Sequence, residues 1–570
     1  MSYILYFLLA FGTLLLTPWL GTHSPADSEA RQLCLPLVLL VPHGLAWIGR
    51  KLLRRGHRRS IACIDALLRF APVYLQALAF LGLGGFALLQ RLWPASLGVL
   101  RGDEVSHWPE LALGAALLPY VISQVLVIDA RARLFGSGAW VGRVRSFQWR
   151  MFASLLVPFG LLALLSGLLG MSEAWSVRLE EVGLLGAGLG LLLVAMAVLA
   201  LPKLLTLVWK TESLPRGGLR ARLENLGERV GLRFRDLMLW RTGGMLPNAL
   251  IMGFTPGTRR ILMTDALMDM LSEQELEAVF GHEMGHAKGQ HGLLLAAFAL
   301  GALLGTELLI EAIAPSIAGG LGLELDVVYL ALLLVAVLGW ARAFGVFSRG
   351  LEMEADLASL RTTGDLGAIL NTLIKVTGPQ NMERSSWRHP STAKRVDFLL
   401  AASSDPSHGW RLEGRMAWMK RLALLLFLSA LCLRGWQALG SWDRDWLRAE
   451  LRLGEYQEAQ SRLESDPGAS EVLRALVSTA SSLSPEQVRP EEMLALGLSS
   501  LREGDLVRSL QLLELAYLRG RRELGGMLDA LDGLSRGVPL EPGDLTPEWQ
   551  VAFEAYLELR PEAPGAQPGD

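Results

Sequence analysis

Charge is in short supply in this sequence. Asp, Glu, Lys and Arg make up 19% of its 570 residues, against about 25% in an ordinary soluble chain. With 51% hydrophobic residues and a mean hydropathy of +0.34, that shortage points to membrane helices rather than one large soluble core. There is no basic excess either. The formal net charge is −2, which argues against nucleic acid as a partner. Cysteine is scarce: Cys34, Cys63 and Cys432 lie in or beside apolar segments, without metal-ligand spacing and without a disulfide framework. The first apolar stretch, 3–20, lacks a basic leader and a small-residue cleavage site, so it reads as a retained helix.

Long apolar runs are what the chain has instead. A spanning helix needs about 20 mainly apolar residues. Six stretches fit before residue 209, at about 3–20, 33–49, 71–91, 109–128, 151–170 and 183–208. Two more follow at about 292–314 and 327–347. A ninth at 421–440 is weaker, because Arg434 and Gln437 interrupt it. The loops at 50–60 and 129–145 are rich in Arg, whereas those near 21–30, 171–182 and 315–326 are acidic or nearly free of Lys and Arg. Positive charge marks the cytoplasmic side. The amino terminus, 209–290 and 348–420 are therefore expected in the cytoplasm, and 441–570 across the membrane if the ninth segment spans.

Residues 209–290 read as a small α+β insertion. RGGLRARLENLGERVGL is an amphipathic helix, and 237–241, 248–254 and 260–264 are short strands between Gly- and Pro-containing turns. Ser272 and Glu275 form a capping box that starts a helix expected to run on towards the next span. Residues 441–555 read as helical, either repeat-like or an ordinary helical bundle: LRLGEYQEAQSRLE and LREGDLVRSLQLLE share a flavour, with Gly454, Ala459, Gly504 and Ser509 as small packing positions. Their grooves would suit a protein partner. The tail PEAPGAQPGD has a disordered composition.

The chemistry sits in GHEMGHAKGQH at 281–291 and SRGLEMEAD at 348–356. His282 and His286 are four apart on a helix and share one face, so both imidazoles can reach one ion at about 2.0–2.1 Å. Glu283 lies beside the first histidine, where a carboxylate can take a proton from an activated water. A catalytic zinc needs a third protein ligand, and Glu352 is the best candidate. Asp356, on the same face as Glu352, would fix a ligand histidine's tautomer. Glu354, two residues on, reads as surface or structural. Arg349 could pair with Glu283, Asp356 or substrate, or be a solvated helix charge. His291, five residues past His286, is off the ligand face and reads as structural.

The strings PNALIMGF, FGHEMGHAKGQH, SRGLEMEAD and HPSTAKRV occur in the order seen in the membrane zinc endopeptidases of the type I CAAX prenyl protease and HtpX group. The resemblance covers roughly 209–400. It implies one zinc per chain on His282, His286 and Glu352, with Glu283 as general base. It likens Asn248 to part of a substrate-pairing edge strand, His389 to an oxyanion-stabilising histidine, and Arg395 to an arginine close to the site. His389-Pro390 can also be read as a helix-entry turn with a capping histidine. The chain departs from the prenyl proteases, which have seven spans, in its count of up to nine and in its carboxy-terminal helical domain.

The expected fold is mainly α: a multi-pass transmembrane helical protein with a small α+β zinc-peptidase insertion and an α-helical carboxy-terminal domain. The expected divisions are 1–208 (six spans), 209–290 (peptidase segment), 291–347 (two spans), 348–420 (third-ligand segment), 421–440 (a span) and 441–570 (helical domain and tail). The expected function is a zinc-dependent endopeptidase of the cell membrane, its site facing the cytoplasm, acting on membrane-associated proteins or peptides. The alternative is an inactive scaffold or assembly factor that keeps the fold; an intact constellation disfavours it. An intramembrane protease with its third ligand in Leu531-Asp532-Gly533 is disfavoured, because that string lies in a polar region. A zinc transporter would place acidic and histidine residues in several facing spans; Glu307 is the exception, and a chamber-lining or interfacial role suffices for it.

Overall fold

The computed structural model describes residues 40–55, 58–77, 118–135, 139–169, 173–465, 471–483, 489–519 and scattered positions beyond. In chain order the helices ahead of the insertion are α1 (Val41–Arg54), α2 (Arg58–Ala77), α3 (Leu118–Phe135), α4 (Ala139–Leu169), α5 (Glu173–Glu181) and α6 (Gly183–Val208). The expected spans at 33–49, 71–91 and 109–128 are helical where described, apart from the turn residue Leu40, within α1, α2 and α3. Their remainders, the segment at 3–20 and the tail at 561–570 lie outside the described residues. The segment at 151–170 falls within α4, apart from residue 170.

Four helices among the described residues are long and apolar enough to cross a membrane: Gly183–Val208, His291–Leu321, Val327–Thr363 and Ser407–Gly440. The chain is thus a mainly α-helical, multi-pass membrane protein with one small sheet. The weak ninth segment lies in the last of these helices.

The chain divides into two compact units. One comprises 1–134, 162–193 and 438–570; the other comprises 135–161 and 194–437. In the first, α1, α2 and α3 close over Ala46, Leu68, Ala71 and Leu134. Also in this unit are α15 (Trp442–Leu453), α16 (Tyr456–Ser465), α17 (Glu471–Ser482), α18 (Pro490–Arg502) and α19 (Leu506–Leu518), numbered after α7–α14 of the second unit. Gly454 and Gly504 are not packing positions within helices. They hold φ of 79° and 84° in the α15–α16 and α18–α19 turns, which a residue with a Cβ adopts only at a cost. Ala459 and Ser509, by contrast, are fully buried. Arg178 and Arg452 join α5 to the α15–α16 pair through Glu455 and Glu181.

The second unit carries the sheet. β1 (Thr211–Ser213), which composition does not signal, is followed by α7 (Gly218–Val230), β2 (Asp236–Trp240), β3 (Ala249–Met252), β4 (Arg260–Thr264) and α8 (Asp265–Met270). The strand order is β1-β2-β4-β3, so β3 is an edge. It runs antiparallel to β4, with Ile251 opposite Ile261. Leu223, Leu237, Ile261 and Phe280 fill the core between sheet and helices. Next come α9 (Glu273–Lys288), α10 (His291–Leu321), α11 (Leu325–Thr363), α12 (Leu366–Thr377), α13 (Thr392–Ser404) and α14 (Ser407–Gly440). The capping box at Ser272–Glu275 is formed. However, α9 does not run on into the next span: it stops at Gly289, and Gln290 takes a left-handed conformation before α10 begins. Conversely, α11 is continuous across residue 347, so its apolar half leads straight into the Glu352 segment.

Candidate metal centre

Two helices build the site, and small residues let them approach. On α9, Gly281 and Gly285 lie one turn apart, each next to a histidine. A Cβ on Gly285 would sit 2.9 Å from Ala358 Cβ and 3.0 Å from Ala355 Cα of α11; one on Gly281 would sit 3.1 Å from Ser359 Oγ. Ser359 fastens the crossing by donating to the Ala278 carbonyl at 2.7 Å. This approach brings Glu352 opposite His282 and His286.

Three ligand atoms converge there, all within 4.8 Å of one another. The Nε2 atoms of His282 and His286 are 3.1 Å apart. Glu352 Oε2 is 3.8 Å from the first and Oε1 is 3.7 Å from the second. A tetrahedral ion with bonds of about 2.0–2.1 Å separates its ligand atoms by about 3.3 Å, so the donor set fits zinc by spacing as well as by chemistry. Both Nδ1 atoms are occupied, which leaves both Nε2 atoms for the centre. His282 Nδ1 lies 2.9 Å from Asp356 Oδ1 and His286 Nδ1 lies 2.8 Å from His291 Nδ1. Arg395 donates to both oxygens of Asp356, at 2.7 and 2.5 Å.

Electrostatics follow from this arrangement. Burial works against a charged His282, but the hydrogen bond and charge of Asp356 outweigh it and the pKa is raised. His286 has no such carboxylate, and burial pushes it down to about 3. Burial, helped by the charge of Glu352, raises the Glu283 carboxyl above its ordinary range, against the opposing influence of His282. A carboxylate placed beside the centre can accept and return a proton.

His389 sits on the loop ahead of α13. It is not the helix cap, because Ser391 fills that role by accepting from the Lys394 N–H. Its Nδ1 lies 3.0 Å from Glu352 Oε2. Arg349 pairs with neither Glu283 nor Asp356; it donates to the Trp387 carbonyl at 3.0 Å. Ser348 donates to the Arg388 carbonyl, Trp387 Nε1 to the Ala341 carbonyl, and the Trp387 ring stacks on Phe344 at 5.1 Å. Arg349 thus belongs to the clamp that holds the His389 loop against α11. Glu354 is not a surface residue. It is partly buried between His291, at 3.4 Å, and Lys420, at 2.7 Å. His291 is buried against His286. Residue type alone flagged neither contact, although the His-x₄-His spacing was open to view.

A cavity of about 880 Å³ opens over the centre. His282, Glu283 and His286 line it, as do the β3 segment from Asn248 to Phe254 and the apolar Leu201 and Leu205 of α6. Asn248 stands at the entry to β3, with its backbone tied to Thr264. Among the described residues no further strand pairs with the outer edge of β3, and that edge strand borders the cluster of ligand atoms.

Residues 216–403 match the family model described as Peptidase family M48. A protease HtpX homolog of Moorella thermoacetica is 30% identical over 195 residues, 31% of this chain and 63% of that protein; the chain spans under two thirds of this relative. Another, from Pyrococcus abyssi, is 27% identical over 267 residues, 41% of this chain and 89% of that protein. The crystal structure of S. mikatae Ste24p aligns with 69% of this chain and 98% of its own, at 14% identity and a TM-score of 0.38. Residues 216–403 are therefore similar to peptidase family M48, and this match and the relatives' names support a membrane metallopeptidase of the group that the motifs resemble.

Proposed function

We propose that the chain is a membrane-embedded, zinc-dependent endopeptidase that cuts membrane-associated proteins or peptides on the cytoplasmic side of the cell membrane. The observation that carries this reading is the convergence of His282, His286 and Glu352 beside Glu283, lining a cavity that the edge strand β3 also lines. The protease names of the relatives and the Arg-rich loops at 50–60 and 129–145 add support.

His282, His286 and Glu352 hold the ion. The chemistry a bound zinc supplies is Lewis acidity toward a water and a carbonyl oxygen. An extended substrate segment lies along β3 from Asn248 and pairs with its main chain, while the apolar cavity wall takes alternate side chains. Glu283 removes a proton from the attacking water and returns it to the leaving amine. His389 is assigned to the charge that grows on the carbonyl oxygen. Asp356, held by Arg395, keeps the proton of His282 on Nδ1 and the ring correctly turned. The bilayer carries the apolar helices, and the carboxy-terminal helices are assigned to a protein partner.

Removing the metal tests the reading. Peptide hydrolysis by the purified protein should stop on treatment with a zinc chelator and return on adding zinc. Hydrolysis that continues in fully stripped protein would sink the proposal.

A further inference from the structure

We infer that His291, Glu354 and Lys420 form a positioning relay that holds the imidazole of His286 in its metal-binding orientation. The inference rests on reading the centre as a zinc site.

His291 is 2% exposed. Its Nδ1 meets His286 Nδ1 at 2.8 Å, with the rings edge to face at 84°. One proton serves that contact. A neutral His286 that ligates through Nε2 carries its proton on Nδ1, so it donates and His291 Nδ1 accepts. The proton of His291 is then on Nε2, which lies 3.4 Å from Glu354 Oε2. Both of those atoms are buried and neither makes a hydrogen bond elsewhere or one of good geometry to the other, so each is the group the other is left to satisfy. The second oxygen of Glu354 takes Lys420 Nζ at 2.7 Å. Read outward from the centre, every donor faces an acceptor: His286, His291, Glu354, Lys420. His282 has the equivalent arrangement through Asp356 and Arg395, so each ligand histidine is oriented by a chain that ends on a cation.

The backbone is bent to deliver His291 to this place. Gln290 has φ 50° and ψ 35°, and it is the only non-glycine with positive φ among the described residues. That conformation is unfavourable for an L residue, and surrounding structure must enforce it. It breaks α9 from α10 and returns residue 291 over His286. Gly289 makes the return fit, because a Cβ there would lie 2.3 Å from His291 Nε2 and 2.6 Å from its Cδ2. An isolated buried histidine would require neither the strain nor the glycine.

The test uses the full-length chain in detergent and reads zinc affinity by chelator competition, the visible spectrum of the cobalt-substituted protein, and the melting temperature of the metal-free form. H291L removes the acceptor. H291N offers Oδ1 where Nδ1 accepted, and E354Q keeps shape but removes charge. H291L should weaken zinc binding about 10–100-fold and alter the cobalt spectrum, H291N should recover most of that loss, and E354Q should show a smaller weakening. Wild-type affinity and spectrum in H291L would overturn the relay. So would H291N binding as weakly as H291L with both metal-free forms destabilised, since that pattern is mere packing. If H291L does not fold, E354Q decides: undiminished zinc affinity there overturns the relay. A wild-type chain that binds no zinc overturns the centre itself, which is a different result.

Discussion

Glu352 and Glu354 are two residues apart on one helix and meet different partners: the first faces two histidine Nε2 atoms, the second His291 and Lys420. E352A should therefore empty the site, whereas E354A should still take one zinc at saturating metal. Elemental analysis of both purified variants checks this; a reversed outcome would reassign the third ligand. The sequence carried the pairing of His282 and His286 because a four-residue spacing on a helix fixes which side chains share a face. It could not carry the partners of Arg349, Glu354 and His291. Those depend on where a distant loop docks and on a single left-handed residue, Gln290, whose type does not announce its conformation.

At the scale of elements, the site is as good as the fit of α9 on α11. G285V would drive a branched side chain into Ala355 and Ala358. Overpacking of this kind costs about 1–3 kcal/mol, so the melting temperature should fall and zinc retention with it. A variant with unchanged zinc content and stability would show that the helices need not be so close. Glu275 anchors the start of α9. Burial alone would raise its carboxyl, but Lys375 and the Ser272 N–H outweigh that and hold it below the ordinary value. A depressed folded pKa stabilises the fold above the unfolded value, about 4.3, and that share is lost as pH falls through the folded one. The melting-temperature gap between wild type and K375M should thus be full at neutral pH and shrink below about pH 4. A gap that does not change with pH would remove Glu275 as its source. Between α10 and α14, Arg434 lies 3.1 Å from Glu307 and 3.0 Å from Glu311. Glu307 therefore has an ion-pair partner, and Arg434 does not interrupt its helix unpaired. R434A should lower stability in detergent, and adding E307Q and E311Q should restore it, because the loss comes from carboxylates left on an apolar helix.

Across the whole molecule, period and hydropathy made the apolar helices around 183–208, 292–314, 327–347 and 421–440 and the bounds of β4 legible, along with the capping box that starts α9. β1 escaped because three polar residues carry no alternation, and the α9–α10 break escaped because Gly-Gln-His reads as continuing helix. Orientation rests on the Arg-rich loops. An R216C chain without its native cysteines, with the label at an exposed position ahead of α7, should react with an impermeant reagent only after the membrane is opened from outside. Labelling of intact cells would reverse the orientation. The most direct measurement compares zinc content and peptide turnover in wild type and E283Q. The expected result is one zinc in each, with turnover in E283Q lower by about 10²–10⁴-fold, the contribution of a general base. Near-normal turnover by zinc-loaded E283Q would contradict the assignment of Glu283 and, with it, the mechanism built on this centre.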